Sequence, residues 1–473
     1  MPLSRISAYH GVCRIFLILA AAAILSGCTA QYLQNPKSEA VPQHQLLKNK
    51  LSSGDRSDRL LLILAFSGGG TRAAAFSYGV LEAMARIELP GLTEYIDKKA
   101  PLKRRSLLDE VDVISSVSGG SFTAAYYGLH GENIFKDFRE RFLIQNHQTD
   151  LFLSFVNPMN WPRLMSPRFG RSDLAQEYYD SVLFQNATLG DLIKGKGPAV
   201  FILATDAIDG LSFSFTPTQF ALICSDFEKF PVSRAVAASA AVPGIFTPII
   251  LRNYAGQCNT KTPNWMSQAI GNPDVTNRAY HVALRMKTYL DPETKPYIHL
   301  VDGGVSDNLG LRGFMDSIAI RGGFRESLEM AGLEKTGQVV FIIVDAATKT
   351  KAHWHLYDEI PGLGDIERAS SSHMINKYNF EIIDSLRRYT LEWSAEDVAA
   401  GRRPIDFSII HVAFDYLPDR KEREYFQNIP TTLYLSEEQV DRLRDVAGRL
   451  LYSSETFKKL IRDLGGKMPE QGK

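Results

Sequence analysis

The stretch Val111-Asp112-Val113-Ile114-Ser115-Ser116-Val117-Ser118-Gly119-Gly120 restricts the possible folds more than any other part of the chain. Val111, Val113 and Ile114 make a short β-branched strand. From Gly119 the period changes, and Phe122, Ala125, Tyr126 and Leu129 fall on one helical face. A strand that bends sharply into a helix, with a serine at the bend, is the nucleophile-elbow arrangement. The bend lifts the hydroxyl out of the sheet, and the helix N-terminus places partial positive charge and free N–H groups beside it. The usual G-x-S-x-G carries Ser116 here in place of its first glycine. A small-residue turn of this kind is structural more often than catalytic, so the reading depends on what surrounds it.

Two further stretches supply that context. Leu60-Leu61-Leu62-Ile63-Leu64-Ala65-Phe66 is a continuous apolar run, as a strand buried on both faces requires. It enters Ser67-Gly68-Gly69-Gly70-Thr71-Arg72, and a helix follows with Phe76, Val80 and Met84 at four-residue spacing. Three glycines between a buried strand and a helix can aim successive N–H groups at an anion. A phosphate loop is excluded, because no G-K-[ST] follows. The remaining anion is a developing carbonyl oxyanion, which needs preorganised donors near a nucleophile. Arg72 stands where it can support such a site. Later, Tyr297-Ile298-His299-Leu300-Val301-Asp302-Gly303-Gly304 is a short strand delivering an aspartate into a glycine turn. In open α/β sheets, the C-terminal ends of strands are where ligand sites form. Alone, D-G-G reads as an ordinary Asx turn.

The remaining pattern is that of an α/β protein. Buried strands are expected over residues 199–206 and 338–346, with an alternating Ser212-Phe213-Ser214-Phe215 beside the first. Residues 235–242 form a helix of small side chains that stops before Pro243 and permits close packing. Residues 142–179 are rich in aromatics and proline, and suit a lid, a cleft wall, a lipid-facing surface or an irregular insertion. Ile375, Tyr378, Ile382, Leu386, Tyr389 and Trp393 mark one face of a long helix, and Ser436 with Gln439 opens another through a capping box.

The N-terminus resembles an export signal. Arg5 and Arg14 precede an apolar run from Ile15 to Leu25, too short to span a bilayer, and then Ser26-Gly27-Cys28. Leu25-Ser26-Gly27-Cys28 is similar to the bacterial lipobox, which makes Cys28 the lipid-modified first residue after cleavage. The expected organisation is a signal peptide over 1–27 and a flexible tether over 28–58. A catalytic domain then covers 59–345, and a mainly helical region over 346–473 packs on the same domain. Thr29 carries no aspartate retention signal, so the expected location is the outer membrane, facing the periplasm. Cys224 and Cys258 form an even pair in an exported chain, which favours a disulfide. The scattered cysteines and histidines offer no metal site. With 53 basic against 53 acidic residues and no basic stripe, a nucleic-acid partner is excluded.

Gly68-Gly69-Gly70-Thr71-Arg72, followed some fifty residues later by the Ser118 elbow and then by Asp302-Gly303-Gly304, resembles the patatin-like phospholipase family. That family has a D-G-G-G-x-R-G loop, a G-x-S-x-G serine and a D-G-[GA] aspartate. This chain differs in having Ser67 for the first aspartate, Ala73 for the glycine after the arginine, and Ser116 in the elbow. The resemblance runs from about residue 60 to 310. It implies a three-layer α/β/α sandwich with a helical C-terminal extension, and hydrolysis of phospholipid or lysophospholipid esters without a cofactor. It further implies a Ser118–Asp302 dyad, with Gly68, Gly69, Gly70 and Arg72 at the oxyanion. Two rivals are a Ser-His-Asp esterase, drawing on Asp302 or Asp345 and on His353, His355 or His411, and an inactive lipid-binding or envelope-assembly lipoprotein.

Overall fold

β1 (Leu60–Phe66) lies inside the sheet and is buried along its whole length, as its apolar run requires. The computed structural model describes residues 34–38, 44–52, 56–90, 105–258, 262–349, 354–356, 358 and 360–469. The signal peptide over 1–27 and the lipidation site Cys28 lie outside these residues. The sheet is completed by β2 (Val111–Val117), β3 (Ala199–Asp206), β4 (Ser212–Ser214), β5 (Ile249–Arg252), β6 (Tyr297–Asp302), β7 (Gln338–Asp345) and β8 (Asp406–Ala413). Their order is β8-β7-β1-β2-β3-β6-β5, with β4 paired to β3. The five strands from β8 to β3 are mutually parallel. β4 and β6 run antiparallel to β3, and β5 antiparallel to β6, so the sheet is mixed.

Alternate side chains of β1 enter two separate cores, which is what makes three layers. Leu60, Leu62, Leu64 and Phe66 face one core, together with α1 (Gly70–Ala85), α2 (Gly119–His130) and α3 (Val232–Ser239). Leu61, Ile63 and Ala65 face the other, which is closed by Ile382, Leu386 and Trp393 of α4 (Leu363–Ala399). The region after residue 346 belongs to the same body. β8 pairs with β7 over eight residues, and α5 (Glu437–Ser453) lies along α1, burying Val440, Leu443, Ala447 and Leu450. The capping box expected at Ser436 and Gln439 is present.

The expected flexible tether over 28–58 needs correction for its described residues. Asn35 donates to Ser225 Oγ at 2.9 Å and accepts from Arg252 N at 2.7 Å, and His44–Ser52 is a helix. Leu47 and Leu51 of that helix pack on the second core, and Lys50 is buried against the Gly195 carbonyl. The segment looks polar as a whole, but these few side chains give it partners on the body.

Cys224 and Cys258 are bridged, with Cα atoms 5.7 Å apart across 34 residues of sequence. A closed loop of that length restricts the unfolded chain by about 4 kcal/mol at most. Reduction, or Cys224→Ser with Cys258→Ser, is therefore expected to lower Tm by several degrees. Thermal melts with and without reductant check this, and an unchanged Tm would leave the bridge without a stabilising role.

Candidate active site

Register brings the serine and the aspartate together. Val117 pairs with Leu203 on one side of β3, and Ala204 pairs with Asp302 on the other. Ser118 and Asp302 therefore flank β3 at one level, and Ser118 Oγ donates to Asp302 Oδ2 at 2.7 Å. β6 runs against the parallel strands, so Asp302 does not reach the site through the C-terminal-edge rule. Its antiparallel register with β3 puts it there.

Ser118 has φ 48 and ψ −120, a left-handed conformation that costs a non-glycine residue roughly 1–3 kcal/mol. Surrounding contacts hold it. Its N–H donates to Ser239 Oγ at 2.9 Å, and the Ser239 hydroxyl donates to the Leu203 carbonyl at 2.6 Å. Ser121 Oγ lies 3.0 Å from the same Ser239 oxygen. The carbonyls of Ser239 and Ala241 accept from the N–H groups of Gly303 and Asp302. One residue at the end of the small-residue helix α3 thus ties the serine elbow to the aspartate turn. In sequence the block reads as structural, packed beside the serine helix; a serine among alanines is the signal for the tie. At the departure from the family pattern, the Ser116 hydroxyl is satisfied: it donates to the Phe201 carbonyl at 3.1 Å across the sheet.

Asp302 is buried, and burial raises its carboxyl from the ordinary 3.8 to about 6. The hydrogen bonds from Ser118 and from Gly304 N, the latter 2.7 Å from Oδ1, act in the opposite direction. The result is a carboxylate that is ionised at neutral pH and more basic than a solvated one.

The glycine loop lies against the elbow, but its parts serve different ends. Gly68 N–H donates to the Asn308 carbonyl at 3.0 Å, so it is engaged within the protein and is not an oxyanion donor. A Cβ on Gly68 would sit 3.3 Å from Ser118 Cβ, so its contribution is close approach. Gly69 and Gly70, with φ of 141 and 61, turn the chain into α1, and their N–H groups have no partner among the described residues. Thr71 N–H is held by the Thr432 carbonyl at 2.9 Å.

Arg72 also departs from expectation. Its buried guanidinium donates to Ala346 O at 2.8 Å, Ile429 O at 2.7 Å and Thr431 Oγ1 at 3.0 Å. It anchors the loop to the chain after β7 and to the C-terminal region, and its charge is spent there. Ser67, where the family has aspartate, accepts from Ala346 N at 2.9 Å and strengthens the same junction.

Among the described side chains, no histidine bonds to Ser118. His411 Nε2 lies 3.3 Å from Asp345 Oδ2, on β8 and β7, while β1 separates β7 from the strand that carries the serine. His353 and the side chain of His355 lie outside the described residues. Among the described residues, no group of three histidine, cysteine or acidic side chains is placed to hold a metal ion, and no helix is long and apolar enough to cross a membrane.

A family model described as patatin-like phospholipase matches residues 64–315. No curated protein sequence matches the chain significantly. Among solved structures, human GIVD cytosolic phospholipase A2 aligns with a TM-score of 0.41 and 12% identity, over 94% of this chain and 66% of that one. Its complex with methyl gamma-linolenyl fluorophosphonate aligns with a TM-score of 0.42 and 13% identity, over 89% and 62%. The chain therefore spans less than two thirds of the length of these enzymes. The family model covers more than half of the sequence and takes in the glycine loop, the serine elbow and the D-G-G aspartate: the chain belongs to the patatin-like phospholipase family.

Proposed function

We propose that the chain is a serine lipid acyl hydrolase of phospholipase A or lysophospholipase type, working through a Ser118–Asp302 dyad. The observation that carries this reading is the 2.7 Å bond between a strained, buried serine and a buried aspartate of raised pKa. Asp302 Oδ2 takes the hydroxyl proton as Ser118 Oγ attacks the ester carbonyl. The oxyanion forms against the N–H groups of Gly69 and Gly70 and that of Gly119, the residue after the nucleophile. Asp302 then passes its proton to the leaving alcohol, which departs and leaves an acyl ester on Ser118. A water molecule gives a proton to Asp302, attacks the acyl ester, and the proton returns to Ser118 as the fatty acid leaves. Cys28, if acylated after cleavage of residues 1–27, would tether the enzyme to the periplasmic face of the outer membrane, beside phospholipid or lysophospholipid substrate.

Labelling with a serine-reactive fluorophosphonate tests the reading. The parent protein is expected to label, Ser118→Ala to give no label, and Asp302→Asn to label at least a hundredfold more slowly. A folded parent that stays unlabelled would instead support a lipid-binding role without catalysis.

A further inference from the structure

The aromatic insertion leaves a group of large apolar side chains uncovered. In the helix His147–Val156, Leu151 is buried while Phe152, Leu153 and Val156 point outward. The chain continues through Met159, Trp161 and Met165, also uncovered, with Phe152 61%, Met159 81% and Trp161 53% exposed. Ordinary surfaces scatter such residues singly; here six fall within fourteen positions. The loop after α3 adds Ile245, 59% exposed, and the neighbouring Phe246 packs edge-on against Phe155 at 6.2 Å between ring centroids. Four residues before Ile245, the Ala241 carbonyl holds the N–H of Asp302. One short loop therefore joins the apolar surface to the aspartate turn of the site.

Its charge identifies the occupant. Residues 147–171 contain Arg163, Arg168 and Arg171 against a single acid, Asp150, whereas the whole chain is balanced at 53 and 53. Arg163 is paired with Glu177, so the positive charge of the segment rests on Arg168 and Arg171. Asp150 accepts from the Tyr178 hydroxyl at 2.7 Å and lies in the first turn of the helix, away from Arg168 and Arg171 in sequence. A cavity of about 520 Å³ opens beside the patch, lined by Phe155 and Leu164 from the same segment and by Arg168, Arg171 and Arg234. Arg234 is paired with Asp173 at 2.8 Å, so the cavity keeps a net positive wall. Apolar side chains with a tryptophan, flanked by arginines, match a bilayer interface, where acyl chains meet anionic head groups.

We infer that residues 152–165 and Ile245 form a docking surface for an anionic lipid bilayer, which presents the active-site mouth to the membrane. The inference rests on the lipid hydrolase reading for its choice of occupant, and the surface is independent of any acyl anchor at Cys28.

The test uses the chain from Thr29 onward, without the apolar run Ile15–Leu25 and without Cys28, so that neither can hold the protein to vesicles. The probes are vesicles of phosphatidylethanolamine and phosphatidylglycerol, compared with phosphatidylcholine alone. Phe152→Ser with Met159→Ser and Trp161→Ser is expected to weaken binding to the anionic vesicles at least tenfold. Brominated lipids are expected to quench the parent's fluorescence, and Trp161→Phe alone to lose most of that quenching. Hydrolysis of a soluble short-chain ester is expected to be unchanged in the triple variant, which also shows that it is folded. Equal vesicle binding by parent and triple variant, or equal quenching in Trp161→Phe, would overturn the docking surface. So would a parent dimer that the triple variant converts to monomer, since a second copy would then cover the patch. If the parent fails to hydrolyse the soluble ester but the vesicle results hold, the hydrolase reading fails and the docking surface stands.

Discussion

Asp302→Asn is expected to lower kcat by roughly 10³-fold while making the folded protein more stable at pH 8. The first effect follows from the 2.7 Å bond: the amide has no lone pair basic enough to take the Ser118 proton, and general-base contributions are typically about 10²–10⁴-fold. The second follows from burial. Asp302 titrates near 3.8 when unfolded and near 6 when folded, so between those values the folded state holds the extra proton. Stability is therefore lost as pH rises from about 4 to about 6. The deficit above that window is about 3 kcal/mol. Asparagine keeps the shape and can still accept from Gly304 N, without the buried charge. Its stabilising effect should be present at pH 8 and vanish below about pH 4. In the parent, activity should rise with pH through about 6 and then level off, as the base becomes ionised. Denaturant melts and kcat at several pH values check both halves. An asparagine variant that is inactive and also less stable at pH 8 would show that the carboxylate's hydrogen bonds outweigh its desolvation.

The parts of this site that were legible in the sequence are those written in local pattern. The run from Leu60 to Phe66 could only be a strand covered on both faces, and the switch of period at Gly119 marked the elbow. The glycine triplet, the serine and the aspartate stood in order, and the family pattern linked them. The errors came where distant residues decide what a local group does. Gly68 N–H looks as free as its neighbours until Asn308, some 240 residues away, supplies a carbonyl. Arg72 looks like an oxyanion ligand until Ile429 and Thr431 claim its guanidinium. The same holds for β6: nothing in Tyr297–Asp302 reveals that it runs antiparallel to β3, and this direction sets the level at which Asp302 meets Ser118. His411 was a candidate by chain order alone, and strand order carries it to Asp345. Local composition also understated the segment before residue 58, whose order comes from Asn35, Leu47 and Leu51 finding partners on the body.

Gly119→Ala is expected to reduce kcat by about 10²-fold or more and to lower Tm, although only a methyl group is added. Gly119 has an ordinary backbone conformation, so the effect does not arise from φ. It arises from space. A Cβ there would run into the Gly70 carbonyl oxygen and would lie 2.7 Å from Gly70 N and 2.8 Å from its carbonyl carbon. These are backbone atoms, and they have little room to yield. Gly70 is pressed from the other side by Thr432, whose carbonyl already holds Thr71, and a Cβ on Gly70 would strike that carbonyl. The methyl group can be accommodated only by moving the elbow away from the glycine loop. Overpacking of this kind costs about 1–3 kcal/mol. In the proposed mechanism the displaced N–H groups of Gly69 and Gly70 would lose their aim at the oxyanion, and loss of one such donor costs about 10²–10³ in kcat. Gly271→Ala is the control, since a Cβ there meets nothing within 4 Å, and it should leave both quantities unchanged. Fluorophosphonate labelling separates the causes. Slowed labelling of a folded Gly119→Ala protein places the damage in the oxyanion donors, whereas parent-like labelling and Tm would remove the close contact between the two loops from the mechanism.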